Sequence, residues 1–587
     1  MGLTGIVLFV CCAAVLSAQD AMGPAVKTQL ADGHSAPTCT VHGIVRNATT
    51  GSPLPRALVR VYGSGTGALT DGDGRFEIPG VDIGGVLFSV VKPGFFDSNA
   101  GPSAGFGPGA REFAHTILAG PSMPDVVFAL SPLNAIRGQV LLPSGEPAAG
   151  IAVTLLKQGV DGGRMQWQVQ NHTTVNADGM YRFGGLMDGI YAIHTELAME
   201  NELFTPLLDA NSAREIRRSG YRAQFYPDAH DLSGASKIRL QNGATVQADM
   251  ALTLEPFHAV TAKVLFQGGA PPRQFMPGAD ATGVSYSAQV FDSEGYEHLA
   301  QYEADSNTVQ ALLPDGDYTV MVAANTMRVI PEQGRFAYRQ DPDPLSGSVD
   351  FPVAGHAIAG LRIPLATHAN GTVEVDLASS ATVATQPASS ARGGEMAVQL
   401  TLTEAAGSNE NFRRAYAQGP VSGPLHIIFT GPGTYWVHTS IGDPRVCEAS
   451  LMAGGTNLAR EPLVLGPDRP AEPLRLNLRD DCATLTLTLP DSASAEASAE
   501  EQRYEIYVVP EFDSTTDVNP QTLAVERGAA VTLRGLTPGR YRVYAFSKPT
   551  GLAYHDQDAL AALPNPPQEI DLEPGAKASL MLEVPRQ

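Results

Sequence analysis

Short runs of alternating apolar and polar residues fill this chain, and one of them recurs. Gly189-Ile190-Tyr191-Ala192-Ile193 returns as Gly316-Asp317-Tyr318-Thr319-Val320-Met321-Val322, as Gly433-Thr434-Tyr435-Trp436-Val437, and as Gly539-Arg540-Tyr541-Arg542-Val543-Tyr544-Ala545. Successive tyrosines are 127, 117 and 106 residues apart. Gly85-Val86-Leu87-Phe88-Ser89-Val90 is a degenerate earlier copy, with Leu87 in the tyrosine's place, 104 residues before Tyr191. Glycine supplies the backbone freedom that a turn needs. Period-two alternation after it predicts a half-buried strand. Repetition at this spacing predicts tandem copies of one supersecondary plan.

A second phrase precedes the first in two copies. Thr70-Asp71-Gly72-Asp73-Gly74-Arg75-Phe76-Glu77-Ile78 and Asn176-Ala177-Asp178-Gly179-Met180-Tyr181-Arg182-Phe183 share one layout. Asp-Gly between alternating runs marks a hairpin. Helical periodicity is scarce; residues 196–208 and 556–562 are the candidates, and both read as short and loop-like. A tyrosine at a strand entrance can bury its ring and bond its hydroxyl to nearby backbone, which resembles the tyrosine corner of immunoglobulin-like sandwiches. The expected fold class is all-β, a tandem array of about five β-sandwich domains. Expected boundaries are 37–131, 132–254, 255–365, 366–480 and 481–587. Residues 378–394, rich in Ala, Ser and Thr, and the acidic 491–501 read as loops within domains.

Composition agrees with a turn-rich fold: 60 glycines and 44 prolines in 587 residues. Hydrophobic residues at 43% leave each domain enough to bury a core. The net charge of −22 would repel phosphate backbones and anionic lipid, so no nucleic-acid partner is expected. Gly5 to Leu16 is a 12-residue run, apolar apart from Gly5, followed by Ser17-Ala18-Gln19. That length suits the core of a signal peptide over residues 1–18 and is too short to cross a membrane. No Lys or Arg precedes it. No later run approaches the length of a membrane helix, so no transmembrane span is expected in the mature chain. The expected location is secreted, periplasmic or cell-surface. Cys11 and Cys12 fall in the leader; Cys39, Cys447 and Cys482 remain. Export permits a disulfide, and Cys447–Cys482 is the nearest pair. Sequence alone leaves that pairing and three free thiols both open.

One stretch carries a family likeness. His42-Gly43-Ile44-Val45-Arg46 is followed by Thr50-Gly51-Ser52-Pro53-Leu54-Pro55-Arg56-Ala57-Leu58-Val59, by residues 70–78, and by Val91-Lys92-Pro93-Gly94-Phe95. This resembles the carboxypeptidase regulatory-like domain, a transthyretin-like β-sandwich. Gly138-Gln139-Val140 through Ile193 looks like a looser second copy. Phe225-Tyr226-Pro227-Asp228 and the run from Leu536 to Asp556 resemble extended tandem versions in exported bacterial proteins. Residues 255–480 match only weakly. The resemblance implies an accessory, binding-type role, since such domains accompany metallopeptidases, outer-membrane receptors and adhesin-like proteins and are grouped with carbohydrate-binding-like folds. It implies a fold and not a reaction.

The search for chemistry yields little. None of the 13 histidines begins His-x-x-Glu or His-Glu-x-x-His, so no zinc peptidase site is expected. Gly101-Pro102-Ser103-Ala104-Gly105 matches a hydrolase elbow in letters but lacks the strand-to-helix setting. Asp71-Gly72-Asp73-Gly74 lacks the remaining ligands of a calcium loop and reads as a turn. His555, Asp556 and Asp558 cluster, and a solvated turn explains them. No catalytic residue, metal or cofactor is expected. Trp167, Tyr221, Phe225 and Tyr226 are the candidate ligand-facing aromatics, although aromatics in β-domains are more often buried. The expected role is a non-catalytic secreted or envelope scaffold that binds an extracellular or envelope protein. A polysaccharide-binding array and an accessory subunit of a separate peptidase are the alternatives.

Overall fold

The computed structural model describes residues 37–583 apart from 62–64, 98–114, 200–217, 267–273, 275–281, 294–296, 333–334, 341–344, 368–370, 379–396, 405–413, 421–424, 428–432, 466–472, 491–502, 525–528 and 547–550. The predicted leader, the Gly101–Gly105 motif and the predicted loops at 379–394 and 491–501 lie outside the described residues. The protein is built of β-sheets stacked in pairs, with one short helix, Gln557–Ala561, among the described residues.

In the first sandwich one sheet runs in the order Arg75–Asp82, Thr38–Asn47, Val126–Pro132, Phe95–Asp97. The other runs Gly67–Leu69, Leu58–Val61, Gly84–Val91, His115–Ala119. Val41, Val45, Ile78, Phe88, Phe128 and Leu130 fill the space between them. Four more large clusters of buried apolar side chains follow along the chain. They run from Ile136 to Leu252, from Val260 to Leu365, from Val398 to Leu478 and from Ala483 to Leu582. Each is closed by its own sheets, with one exception. Arg218–Tyr221 leaves the second unit to pair with Leu254–Phe266 in the eleven-stranded sheet system of the third, while the Tyr221 ring stays in the second core. Ala198–Met199 pairs with Arg218–Tyr221 in turn, so the second sandwich contributes two strands to the third's sheet.

All five units close in the same way. The first strand lies parallel to the last or nearly last: Gly43–Asn47 beside Val126–Leu130, and Ala135–Arg137 beside Thr245–Gln247. The pattern continues with Ala262–Phe266 beside Leu361–Leu365, Val373–Ala378 beside Leu474–Arg479, and Thr484–Thr488 beside Lys577–Met581.

The recurrent tyrosine does what its place in the pattern predicts. Tyr191, Tyr318 and Tyr541 are buried, and each hydroxyl donates to the carbonyl four residues earlier, at Met187 (2.8 Å), Pro314 (3.0 Å) and Thr537 (2.6 Å). Tyr435 is equally buried. Burial raises the pKa of the Tyr191, Tyr318 and Tyr541 hydroxyls, so they stay protonated donors. Tyr318→Phe deletes one such bond and keeps the ring. It is expected to cost about 1 kcal/mol, read as a lower urea midpoint for the third sandwich; an unchanged midpoint would mean that the bond adds nothing.

The first copy is shifted by one residue from the predicted alignment. Its strand begins at Gly84, as the later ones begin at Gly189 and Gly539, so Val86 and not Leu87 holds the tyrosine's place. Val86 packs on the core and Leu87 is 41% exposed. Side chains alternate between faces, so a one-residue slip exchanges inside for outside.

The two Asp-Gly hairpins are the same structure. Asp71 Oδ1 accepts from the amides of Asp73 (2.9 Å) and Arg75 (2.8 Å), and Asn176 Oδ1 accepts from those of Asp178 (3.0 Å) and Met180 (2.8 Å). Gly74 and Gly179 follow at φ 72° and 79°. Residues 556–562 form a one-turn helix capped by Asp556, whose carboxylate accepts from the amides of Asp558 and Ala559. Of 196–208, Ala198–Met199 is a strand, and 200–208 lie outside the described residues.

Candidate functional site

The four aromatics expected to face a ligand do not form one platform. Tyr221 is 7% exposed within the second core, and Phe225 is 1% exposed. Both correct the sequence expectation. Tyr221 belongs to the inner core, and Phe225 is covered by a second apolar layer. Leu156, Ala192 and Phe225 sit on the outer face of the second sandwich, packed against Trp167, Val169, Ala229, Leu232 and Ala235. The sheet is thus buried on both faces, and Trp167, on the sheet's own strand Arg164–Thr174, is half-buried within this outer layer. Tyr226 is half-buried against the inner core.

A dense polar cluster lies where the second, fourth and fifth sandwiches meet, and no local motif announces it. The hairpin of Ala152–Asp161 and Arg164–Thr174 turns through Gly162 and Gly163, at φ 53° and 73°. A Cβ on Gly162 would meet the His438 ring at 2.5 Å, and one on Gly163 would meet the Tyr554 ring at 2.3 Å. These two glycines let the hairpin tip reach the other two sandwiches. There Gly163 O accepts from the amide of His555 (3.0 Å), and the Arg164 guanidinium lies 3.4 Å from the centre of the Trp436 ring.

The fourth and fifth sandwiches meet along Gly433–Ile441 and the segment around Thr515. The Thr439 amide donates to Thr515 O (2.8 Å), and the two hydroxyls lie 2.6 Å apart. His438 Nδ1 is 2.8 Å from Asp517 Oδ1. Glu448, 2% exposed, accepts from the Thr515 amide (2.8 Å), the Thr515 hydroxyl (2.8 Å) and the Thr516 hydroxyl (3.1 Å). Burial raises its pKa, and those donors pull against the rise. Next to it, Cys447 is disulfide-bonded to Cys482, with Cα atoms 5.9 Å apart, while Cys39 is free. Cys482 sits between Leu474–Arg479 of the fourth core and Ala483–Thr488 of the fifth. The pKa of His555 is pushed down to about 4 by desolvation, then by Arg164 and His438, so its ring is neutral near pH 7. Asp556, by contrast, spends its carboxylate on the helix cap.

Beside this seam a cleft of about 370 Å³ opens between the 511–518 segment, Tyr544, the short helix and Ala459. Among the described residues, no group of three His, Cys, Asp or Glu side chains is placed to hold a metal ion. Among them, too, no helix is long and apolar enough to cross a membrane.

The first sandwich gives the clearest sign of kinship. Gly43 lies where a Cβ would meet Val126 O at 2.3 Å, and its counterpart Gly138 lies where one would meet Ala248 O at 1.9 Å. The glycine of the G-x-V phrase is therefore fixed by its close approach to the closing strand, in both copies. Residues 40–101 match the family model of the carboxypeptidase regulatory-like domain. That match ends before the regulatory-like domain does, because His115–Ala119 and Val126–Pro132 complete its two sheets. No curated protein matches the chain. Among solved structures, the Bacillus anthracis TIE protein is 11% identical, covering 94% of this chain and 69% of its own, at a TM-score of 0.14. The GBS52 minor pilin of Streptococcus agalactiae is 11% identical over 40% of this chain and 96% of its own (TM-score 0.17). A variant of the BcpA major pilin of Bacillus cereus is 10% identical over 76% and 99% (TM-score 0.12). At such TM-scores these likenesses carry no argument about shape or role.

Proposed function

We propose that the chain is a non-catalytic secreted or cell-envelope scaffold whose sandwiches are locked in a set arrangement and present their surfaces to an envelope or extracellular protein. The carrying observation is the Arg164 contact: a hairpin of one sandwich docked through arginine on tryptophan into the seam of two others. Such a contact fixes modules relative to one another, which a presenting scaffold needs and a string of free beads lacks. The polar groups that suggested chemistry support the same reading. Asp71 and Asp556 are occupied by backbone amides.

Two measurements test this reading. Arg164→Ala removes about 1–2 kcal/mol of partly desolvated cation–π contact. X-ray scattering of the full chain is expected to show a larger radius of gyration for it; an equal radius removes the lock. Binding of the purified chain to envelope material from the producing cell, before and after protease digestion of that material, tests the partner. Saturable binding lost on digestion supports a protein partner. Binding that survives digestion moves the reading to polysaccharide, and no binding rejects the envelope role.

A further inference from the structure

The cleft beside the seam is not used by the scaffold role, and its walls have a definite chemistry. Its charges are matched in pairs. Arg542 Nη2 lies 2.6 Å from Glu511, and Arg460 Nε lies 2.8 Å from both oxygens of Asp513. The imidazole of His555 is neutral near pH 7. The cleft therefore offers a charged ligand no unmatched counter-charge. Polar groups of both kinds nevertheless line it: the hydroxyl of Ser514 and the amide of Gln557, which can each donate and accept, while the Thr516 hydroxyl already donates to Glu448. Two half-buried aromatics, Phe512 and Tyr554, complete the lining together with the buried Tyr544.

Matched charge, mixed donors and acceptors, and aromatic faces together fit a neutral polyhydroxylated ring, whose hydroxyl edge needs both hydrogen-bond roles and whose C–H face lies on aromatic carbon. An apolar ligand would strand the Ser514 hydroxyl and the Gln557 amide. A phosphate or carboxylate would have to break an existing ion pair. The volume, about 370 Å³, is at the lower end of the roughly 300–1,000 Å³ of small-molecule sites, which suits one or two sugar rings. We propose that this cleft, walled by the fifth sandwich and capped by Ala459 of the fourth, binds a neutral mono- or disaccharide unit. The site goes beyond the scaffold role and does not depend on it. Because one wall comes from another sandwich, it exists only while the seam is closed.

The test is ligand-observed NMR saturation transfer with the full chain and, separately, glucose, galactose, N-acetylglucosamine, their β-linked disaccharides, and glucuronate. Saturable signal from a neutral sugar is expected, weaker or absent for glucuronate. Gln557→Trp, at an exposed helix position on the cleft rim, fills the space and is expected to abolish it. Gln557→Ala, which cannot overpack, is expected to weaken binding roughly tenfold, the size of about one hydrogen bond. It keeps the test decisive if the tryptophan disturbs the fold. Trp167→Ala, on a different sandwich face, is expected to change nothing. Silence across the neutral panel, signal that survives both Gln557 variants, or tighter binding of glucuronate than of glucose overturns the proposal. Envelope binding is expected to be the same for Gln557→Trp and the native chain, so the two readings fail separately.

Discussion

Glu448→Ala is expected to lower the stability of the fourth and fifth sandwiches by about 3–5 kcal/mol, and to do so for both at once. The carboxylate collects one amide and two hydroxyl donors of the partner sandwich in a place closed to water. Its removal leaves those donors buried without their acceptor, at about 1–3 kcal/mol each, partly relieved where the Thr515 hydroxyl can turn to Thr439. In urea unfolding of the full chain, the transition of these two sandwiches is expected to shift to lower denaturant and to split. A shift confined to the fourth, where Glu448 resides, would show that the carboxylate does not couple them. The same group sets a pH dependence. Its folded-state pKa is raised above the ordinary value of 4.5 by burial, so the protonated form favours the folded seam. Its contribution is greatest below that value and declines as pH rises through Glu448's own higher pKa. Glu448→Gln is expected to flatten this slope; an unchanged slope would assign it to other groups.

Cys482→Ser, or reduction of the native protein, is expected to cost about 4 kcal/mol, the chain entropy of a loop closed between residues 35 apart. Cys482 is the better choice for substitution because Cys447 is buried, and a serine there would add an unsatisfied hydroxyl. Differential scanning calorimetry with and without reductant checks it. An unchanged melting temperature for this part of the chain would mean that the crosslink constrains nothing. Since Cys447 and Glu448 are consecutive and act on one seam, the double variant is expected to lose less than the sum of the two single losses.

What could be read from the sequence was what is local. The Gly-x-Tyr phrase works because turn, strand and the bond to the carbonyl four residues back all fall within one short stretch. The Asp71 and Asn176 turns are equally self-contained. Errors arose where a face is decided elsewhere. Leu87 was misplaced because apolar residues at both 86 and 87 left the strand phase ambiguous. Tyr221 and Phe225 look like surface in the sequence because the strands they pair with, Leu254–Phe266 and Gly189–Thr195, come from other stretches of the chain. The seam had no signature, since Arg164, Trp436, Glu448, Thr515 and His555 come from five separate stretches. Each of them looks alone like an ordinary surface or core residue. Its one legible clue was Gly162-Gly163, a doubled glycine at a hairpin tip that could have been read as a close approach.

The parallel closure of every sandwich has a mechanical meaning. Because the first strand and the closing strand of each unit run in the same direction, tension applied at the two chain ends pulls the pair in opposite senses along its own length. The bridging hydrogen bonds between, for example, Thr484–Thr488 and Lys577–Met581 are then loaded together in shear. In a hairpin peeled from its open end, by contrast, they would break one after another. Under pull the chain thus behaves as five shear clamps in series.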